Sequence, residues 1–185
     1  MRTLSSFFFS NFLSLIPTFD SDFCAVAQKG KYIYDWPRPM VAADAAVFCF
    51  FEGKMQLLLV ERRNEPFKGK WCLPGGFVNI DEELDNAVAR ELAEETGLTG
   101  VRLEQVHTFG RCGRDPRGRV ITVTYMGIVG EDKTKVEAGD DAAQARWFDI
   151  EKLPTDLAFD HNDVTKFVIR KLKRRKVYKL NVKGR

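Results

Sequence analysis

The sequence predicts an α/β fold in which a mixed β-sheet lies between helices. Apolar runs rich in β-branched and aromatic residues stand on both sides of a central segment, Asp81 to Thr96, that has the composition of a helix. A second segment near the C-terminus repeats apolar residues at helical spacing. At 185 residues, 44% of them hydrophobic, the chain is long enough for one well-packed domain. Strands before and after a helix, with another helix at the end, predict a sheet that is covered on both faces.

Residues 1–35 are predicted to form an extension outside this domain. The Phe-rich run from Leu4 to Ile16 and the segment Ala25-Val26-Ala27 imitate a secretory signal peptide with its cleavage site. The run contains four serines and is too short to span a membrane, and Pro17 separates it from that site. We therefore expect a cytoplasmic protein with an N-terminal extension. A signal peptide, or an arm that packs on a second subunit, is the alternative.

The first predicted elements form a β-hairpin. Val41–Phe51 is apolar and β-rich, Glu52-Gly53-Lys54 is a turn, and Met55–Glu61 is apolar again. The polar segment Arg62–Lys70 contains proline and glycine and is predicted to be a surface loop. It ends at a short predicted strand, Trp71–Leu73, which leads into glycine-rich backbone.

The central segment has the composition of one helix with its stop signal. From Asp81 to Thr96 it lacks glycine and proline, and Gly97 follows. At about 100° per residue, Glu91 lies in the middle of an apolar stripe, with Glu94 and Glu95 beside it one turn on. The stripe consists of Leu84, Ala87, Val88 and Leu92. Three carboxylates thus converge where apolar residues are expected.

These carboxylates indicate a divalent metal site. Buried carboxylates repel one another, and their burial is unfavourable unless a cation lies among them. Oxygen ligands suit Mg²⁺, with Mn²⁺ as the alternative ion. Gly75 and Gly76 let the backbone approach the ion, so that a carbonyl, that of Gly76, joins the ligands. The competing interpretation is a solvated acidic face with Arg90 as a surface partner.

Two further strands and an arginine-rich connection follow the helix. Val101–Thr108 and Val120–Val129 are predicted as strands. The segment from Arg111 to Arg119 between them contains four arginines. A solvated hairpin tip is one interpretation. We favour the other, in which guanidinium groups bind a diphosphate through forked hydrogen bonds.

A loop, a strand, a second loop and a helix are predicted to complete the domain. Glu131–Gln144 is polar, Arg146–Ile150 has the pattern of a strand, and Pro154–Asp163 is again a loop. A closing helix is predicted from the spacing of Val164, Phe167, Val168 and Leu172. The domain is expected to end at Leu172, and residues 173–185 are expected to form a basic tail.

Charge is distributed unevenly along the chain. The net charge is +3, but Lys166–Arg185 contains ten of the 29 basic residues and none of the 26 acidic ones. Such a run is most often a solvated helix end, so contact with nucleic acid is not the favoured interpretation. The four cysteines show no spacing typical of a metal site or a disulfide framework.

The residues around the central helix fit a known family signature. The pattern is G-x5-E-x7-R-E-U-x-E-E-x-G-U, in which U is an aliphatic residue. It is matched by Gly76, Glu82, Arg90, Glu91, Leu92, Glu94, Glu95, Gly97 and Leu98. The chain thereby resembles the Nudix hydrolases, from about residue 36 to residue 172. The resemblance implies their α/β/α sandwich with a mixed sheet.

Longer segments make the resemblance more specific. PFKGKWCLPGGFV, TFGRCGRDPRGRVITVTY, AGDDAAQARWF and LAFDH are similar to the ADP-ribose pyrophosphatase branch, whose relatives include the Nudix domains of NAD-metabolism repressors. Such repressors add a winged-helix DNA-binding domain, which we do not expect here. A proline that marks some ADP-ribose hydrolases is replaced by Arg114, and the nearest proline is Pro116.

The resemblance implies hydrolysis of ADP-ribose to AMP and ribose 5-phosphate by a metal-activated water. The metal would be held by Glu91, Glu94, Glu95 and the Gly76 backbone. Arg90 would orient the glutamates, and Gly75 and Glu82 would support the loop and helix. Glu82 is expected on the far side of the helix from Glu91.

The general base and the substrate contacts are inferred from the same resemblance. Glu91 is the first choice for the base, and Asp140 or Asp141 on a later loop is the alternative. The diphosphate and terminal ribose are expected to contact Arg111, Arg114 and Arg117, and a ring of the substrate is expected to stack on Phe109.

Two other functions stay open at this point. One is a binding module that senses ADP-ribose and acts through a partner. The other is a hydrolase of damaged nucleoside triphosphates, which would release pyrophosphate. The ligand of the chain is in every case a small nucleotide, and a homodimer is the assembly that the family resemblance suggests.

Overall fold

The computed structural model describes residues 34–133, 135–139 and 142–175. They form a seven-stranded sheet, two α-helices and a 3-10 turn at Glu131–Lys133. The strands are β1 (Met40–Phe51), β2 (Lys54–Arg62), β3 (Trp71–Cys72), β4 (Gly75–Phe77), β5 (Glu104–Phe109), β6 (Val120–Val129) and β7 (Ala142–Asp149). The helices are α1 (Leu84–Thr96) and α2 (His161–Lys173). Most of the predicted extension, residues 1–35, and most of the predicted tail, residues 173–185, lie outside the described residues.

The sheet is mixed because its central strand has neighbours in both directions. β1 pairs parallel with β6 through most of its length and antiparallel with β2 through its last residues, which confirms the predicted hairpin. Its first half pairs antiparallel with β4, and this places Gly75 opposite Asp44 and Gly76 opposite Ala43. The glycine segment before α1 is therefore held against the middle of the sheet.

Each face of the sheet is covered by one helix. The core on the α1 side includes Val47, Leu58, Val88, Leu92 and Tyr125. The core on the α2 side includes Phe48, Leu57, Met126, Val164 and Val168. Val47 and Phe48 belong to opposite cores because successive side chains of a strand point to opposite faces. The predicted sandwich with a mixed sheet is confirmed.

The central helix begins later than its composition predicts. α1 starts at Leu84 instead of Asp81, and Glu83 has an extended backbone, with φ −71° and ψ 146°. The carboxylate of Glu82 accepts hydrogen bonds from the backbone N–H and side-chain amide of Asn79, at 3.2 and 3.1 Å. These bonds hold the preceding residues in a turn. The end of the helix is as predicted, with Gly97 in the left-handed conformation at φ 72°.

Other boundaries differ where pairing overrides local composition. Gly75–Phe77 is a strand instead of a loop, because β1 supplies hydrogen-bond partners for it. β7 begins at Ala142, four residues before the predicted start, since it pairs along nearly the whole of β2. α2 begins at His161, inside the segment predicted as a loop. Neither described helix is long and apolar enough to cross a membrane.

Candidate active site

A cavity of about 270 Å³ opens where the glycine strand β4 meets the C-terminal half of α1. It brings together two carboxylates, bare glycine backbone and three guanidinium groups. Its lining includes Gly75, Gly76, Glu91, Glu95, Arg62, Arg90 and Arg117. A site with both charges suits a polyanion that binds together with a cation.

Glu95 is the more deeply buried of the two cavity carboxylates. It lies on the apolar side of α1 and is 9% exposed, and the backbone N–H of Gly75 donates to its Oε2 at 2.9 Å. Burial raises its pKa to about 8, and the Gly75 hydrogen bond opposes the shift while the neighbouring Glu91 adds to it. The charge of Arg62, in the same cavity, also lowers the pKa of Glu95 but does not cancel the effect of burial, so an ionised Glu95 is stabilised by a further cation.

Glu91 lies against the bare backbone of Gly76. A Cβ atom at Gly76 would overlap the Glu91 carboxylate, so this contact requires glycine. At Gly75, where φ is +154°, a Cβ atom would overlap Asp44 and the Ala43 carbonyl. Burial raises the pKa of Glu91, and hydrogen bonds from Arg90 oppose the shift.

Arg90 joins the acidic residues of the signature into one network. Its Nε and Nη2 donate to the two oxygens of Glu82 at 2.8 and 2.9 Å. Its Nη1 donates to Glu91 Oε1 at 2.8 Å and to Glu94 Oε2 at 2.9 Å. Nη2 also donates to the Phe77 carbonyl at 3.2 Å. These bonds fix the positions of the three glutamates relative to one another.

Two acidic residues lie elsewhere than the helical pattern predicts. Glu82 is not on the helix, and its carboxylate faces Arg90 instead of projecting away from Glu91; its contacts still suit a supporting role. The Glu94 side chain is 42% exposed and does not line the cavity. The carboxylates of Glu91 and Glu94 meet through their shared partner, Arg90.

The donor chemistry of the site fits a hard divalent cation. Glu91 and Glu95 are carboxylates with raised pKa values that repel each other, and such a pair is neutralised by Mg²⁺ or Mn²⁺. Within residues 34–133, 135–139 and 142–175, no three Asp, Glu, His or Cys side chains are already grouped as metal ligands. In this structure, Arg90 is bonded to Glu91 and Glu94.

Arg117 is the predicted substrate-binding residue that lines the carboxylate cavity. Its guanidinium lies 4.6 Å from the ring centroid of Phe77 and 5.0 Å from that of Phe159. The carboxylate of Asp115 accepts from Arg117 Nη2 at 2.7 Å and from Nε at 3.0 Å. Stacking and ion pairing thus fix the guanidinium at the cavity rim.

Arg114 has a different place from the one predicted. It is 5% exposed, and its Nη2 and Nε donate to the two oxygens of Asp160 at 2.6 and 3.0 Å. It also bonds to Thr122, on β6. These contacts anchor the arginine-rich loop to the segment before α2. The guanidinium of Arg114 is buried in an internal ion pair and does not line the carboxylate cavity. Its binding of diphosphate stays a prediction.

Arg111 and Phe109 are not brought to the carboxylates. Arg111 is exposed and lines a separate groove with Pro116 and Asp163. Phe109 packs edge-on against Phe167, with ring centroids 5.6 Å apart, and lines a groove beside α2. The expected ring stacking on Phe109 is therefore not supported at this cavity. Asp140 and Asp141, the alternative bases, lie outside the described residues.

The sequence interpretation missed Arg62. It was predicted to begin a surface loop, but it is the last residue of β2 and lines the carboxylate cavity. Its Nε donates to the Pro66 carbonyl at 2.7 Å, and its guanidinium lies 4.9 Å from the Phe159 ring centroid. Within the described part of the chain it forms no ion pair with a carboxylate. The position of Arg62 directly after the predicted buried strand Met55–Glu61 was the signal in the sequence that could have identified it.

A buried pair beneath the glycine strand was also missed. His161 Nδ1 accepts the backbone N–H of Leu73 at 3.0 Å, so its hydrogen is on Nε2, which lies 3.5 Å from Asp44 Oδ2. Burial lowers the pKa of His161 to about 4 and raises that of Asp44 to about 7. The pair packs the start of α2 against the segment that carries Gly75.

Proteins of known function are similar to this chain in sequence over most of its length. The chain is 41% identical to the ADP-ribose pyrophosphatase of Methanocaldococcus jannaschii, over 71% of this chain and 74% of the relative. It is 38% identical to an ADPR responsive transcriptional repressor of Acinetobacter baylyi, over 82% of this chain. That match spans only 61% of the length of the repressor.

A solved structure and a family model agree with these relatives. The NUDIX domain of Shewanella oneidensis NrtR, crystallised with ADP ribose, superposes with a TM-score of 0.67 and 31% identity, covering 74% of this chain and 90% of that one. The family model described as the NUDIX domain matches residues 40–168. The chain therefore belongs to the NUDIX domain family.

Proposed function

We propose that the chain hydrolyses the diphosphate of ADP-ribose to AMP and ribose 5-phosphate with the help of a divalent cation. The observation that carries this proposal is the meeting of Glu91 and Glu95 with Arg62 and Arg117 in one cavity. Carboxylates bind a divalent cation and guanidinium groups bind a diphosphate, so the site is suited to a nucleotide diphosphate that binds together with its cation. The 41% identical pyrophosphatase supports ADP-ribose as the substrate.

The cation is proposed to be Mg²⁺, with Mn²⁺ as the alternative. It would be held by Glu91, Glu94, Glu95 and the Gly76 carbonyl. When bound, the ion supplies charge neutralisation and Lewis-acid catalysis at the diphosphate. Arg90 keeps Glu91 and Glu94 together through one guanidinium nitrogen, and the Gly75 N–H holds one oxygen of Glu95.

The substrate is proposed to bind through Arg62 and Arg117. Planar guanidinium groups make paired hydrogen bonds to phosphate oxygens, which fix the orientation of the diphosphate. Glu91 is proposed as the general base, with Asp140 or Asp141 as the alternative. Arg111, in its exposed groove, is retained as a contact for the terminal ribose.

A sensing role is the second candidate, because one relative is an ADPR responsive repressor. A sensor would bind ADP-ribose tightly and turn it over slowly or not at all. A triphosphate hydrolase would instead release pyrophosphate. The two enzyme functions and the sensor therefore differ in their products.

The test is incubation of purified protein and Mg²⁺ or Mn²⁺ with ADP-ribose, NADH, sugar nucleotides and nucleoside triphosphates, followed by chromatography. We expect AMP and ribose 5-phosphate in equal amounts from ADP-ribose. Glu95→Gln should lower kcat by about a hundredfold or more, since several kcal/mol of charge stabilisation depend on the bound cation. Glu104→Gln, on the exposed side of β5, is the matched control and should retain activity.

Two results would contradict the proposal. Binding of ADP-ribose without turnover by the unmodified protein would favour the sensor. Release of pyrophosphate from nucleoside triphosphates, with ADP-ribose left intact, would favour the triphosphate hydrolase.

A further inference from the structure

A single aromatic ring contacts two of the three arginines that line the carboxylate cavity. Phe159 is half-buried in the segment before α2, and its ring centroid lies 4.9 Å from the Arg62 guanidinium and 5.0 Å from that of Arg117. Arg62 comes from the end of β2, and Arg117 from the loop between β5 and β6. The ring therefore contacts two cationic side chains that are far apart in the sequence.

The backbone holds this ring in an uncommon conformation. Phe159 has φ +54°, in the left-handed region that bulky residues rarely occupy. The residues on either side fix it there. The Ala158 N–H donates to the Trp71 carbonyl at 2.9 Å, and Asp160 is bonded to both nitrogens of Arg114 that face it. Conformations of this kind persist when their surroundings fix them, and they cluster at functional sites.

Two guanidinium groups near each other repel, and long side chains lose freedom when they are ordered. Stacking on an aromatic face offsets both effects, because the negative face of the ring attracts the cations. Asp115 already accepts from Nε and Nη2 of Arg117, and the Pro66 carbonyl accepts from Nε of Arg62, so the remaining guanidinium nitrogens are the donors for the phosphates.

We infer that Phe159 is a positioning residue that holds Arg62 and Arg117 at the cavity for the two phosphates of the substrate. This inference rests on the proposed function and adds the residue that pre-organises its diphosphate contacts. If Phe159 pre-organises the arginines by stacking, removal of its ring should weaken substrate binding.

Phe67 provides a matched control for the alternative, a role in packing alone. It contacts Phe159 edge-on, with ring centroids 4.9 Å apart, and it also has a positive φ, +67°. The cation over the Phe67 ring is Lys70, at 5.5 Å. Phe67 does not line the carboxylate cavity, but it lines the groove of Arg111 that is proposed for the terminal ribose. Loss of either ring disturbs packing, but only loss of Phe159 removes an aromatic contact from both Arg62 and Arg117.

The test compares Phe159→Leu, Phe159→Tyr and Phe67→Leu in the full chain. Three quantities are measured: KM and kcat for ADP-ribose, the Kd of ADP by calorimetry with Mg²⁺, and Mn²⁺ binding by electron paramagnetic resonance. Phe159→Leu should raise KM and the Kd of ADP about tenfold while kcat changes less than about threefold. Mn²⁺ binding without nucleotide should be unchanged. Phe159→Tyr, which keeps the ring, should keep both values close to those of the unmodified protein. Phe67→Leu should keep the Kd of ADP, because ADP lacks the terminal ribose proposed for the groove that Phe67 lines.

A double-mutant cycle checks that Phe159 acts through the arginines. In a background with Arg62→Gln and Arg117→Gln, adding Phe159→Leu should weaken ADP binding by less than about twofold. Additive effects, or equal effects of Phe159→Leu and Phe67→Leu, would overturn the inference. Thermal unfolding shows whether each variant is folded; if Phe159→Leu is not, Phe159→Met replaces it.

Failure of this inference is distinguishable from failure of the proposed function. Normal KM in Phe159→Leu with intact ADP-ribose turnover would reject the positioning role alone. Selective loss of ADP binding in Phe159→Leu, in a protein that hydrolyses no ADP-ribose, would support the positioning role and reject the hydrolase.

Discussion

At the scale of single residues, the site depends on how closely a carboxylate approaches bare backbone. Glu91 lies where a side chain at Gly76 would be, and the Gly75 N–H donates to Glu95. Two glycines therefore let two acidic side chains lie against the strand without displacing it. A residue with a Cβ atom at position 76 would overlap the Glu91 carboxylate and displace it.

We expect Gly76→Ala to impair the site while the fold persists. The new methyl group displaces the Glu91 carboxylate, and a misplacement of about 1 Å lowers kcat by about a hundredfold. Mn²⁺ affinity, measured by electron paramagnetic resonance, should fall as well.

Gly97→Ala is the control for glycine replacement in general. Gly97 has φ +72° and no atom within 4 Å of an added Cβ, so its replacement strains only the backbone. It should lower the free energy of unfolding by about 1 to 2 kcal/mol and leave Mn²⁺ affinity unchanged. Equal Mn²⁺ affinity in Gly76→Ala and the unmodified protein would contradict the role given to this contact.

At the scale of elements, the arginine-rich loop is attached to the segment before α2 by a buried ion pair. The side chains of Arg114 and Asp160 are 3% and 7% exposed, and two hydrogen bonds join them. Arg117 follows three residues later and reaches the carboxylate cavity. Arg114, which the sequence assigns to substrate binding, thus anchors the loop that carries Arg117.

Arg114→Met is expected to lower the free energy of unfolding by about 3 kcal/mol, because it leaves Asp160 buried without its partner. It should also raise KM for ADP-ribose, since the loop carrying Arg117 loses its anchor. Urea unfolding and steady-state kinetics measure the two effects.

Arg175→Met is the matched control, because it removes the exposed ion pair with Glu104, whose side chains are 33% and 64% exposed. It should change stability by about 0.5 kcal/mol or less. A second variant, Arg114→Met with Asp160→Leu, should recover much of the lost stability. If the double variant does not recover stability, the unpaired carboxylate of Asp160 is not the cause of the stability lost in Arg114→Met.

At the scale of the whole molecule, the sheet separates two cores, and a buried histidine links the second helix to the glycine strand. His161 is neutral because Nδ1 accepts the Leu73 N–H. Its folded pKa, about 4, lies below the ordinary value of 6.5, so the unfolded chain binds a proton more readily. His161 therefore contributes stability that is present above pH 6.5 and is lost as pH falls toward 4. Asp44, with its pKa raised to about 7, has the opposite effect over much of this range.

The prediction is a difference in pH dependence between the unmodified protein and His161→Asn. Asparagine keeps an acceptor for Leu73 but does not titrate. Between pH 7 and pH 5, the unmodified protein should lose about 2 kcal/mol more unfolding free energy than the variant. Equal slopes for the two proteins would contradict the assignment.

The sequence alone determined the fold class, the family and the carboxylate chemistry of this protein. These follow from local regularities: the spacing of apolar residues sets the faces of strands and helices, and the seven charged and glycine residues of the signature lie within 22 consecutive positions, Gly76 to Gly97. The tertiary structure alone decided which cations meet those carboxylates. Arg62 and Arg117 are far apart in sequence, and no local pattern separates Arg117, at the cavity, from Arg114, in a buried ion pair. That choice is made by long-range contacts, chiefly the Phe159 ring and Asp160, because a side chain of five donors takes its partner from whatever the folded chain places beside it.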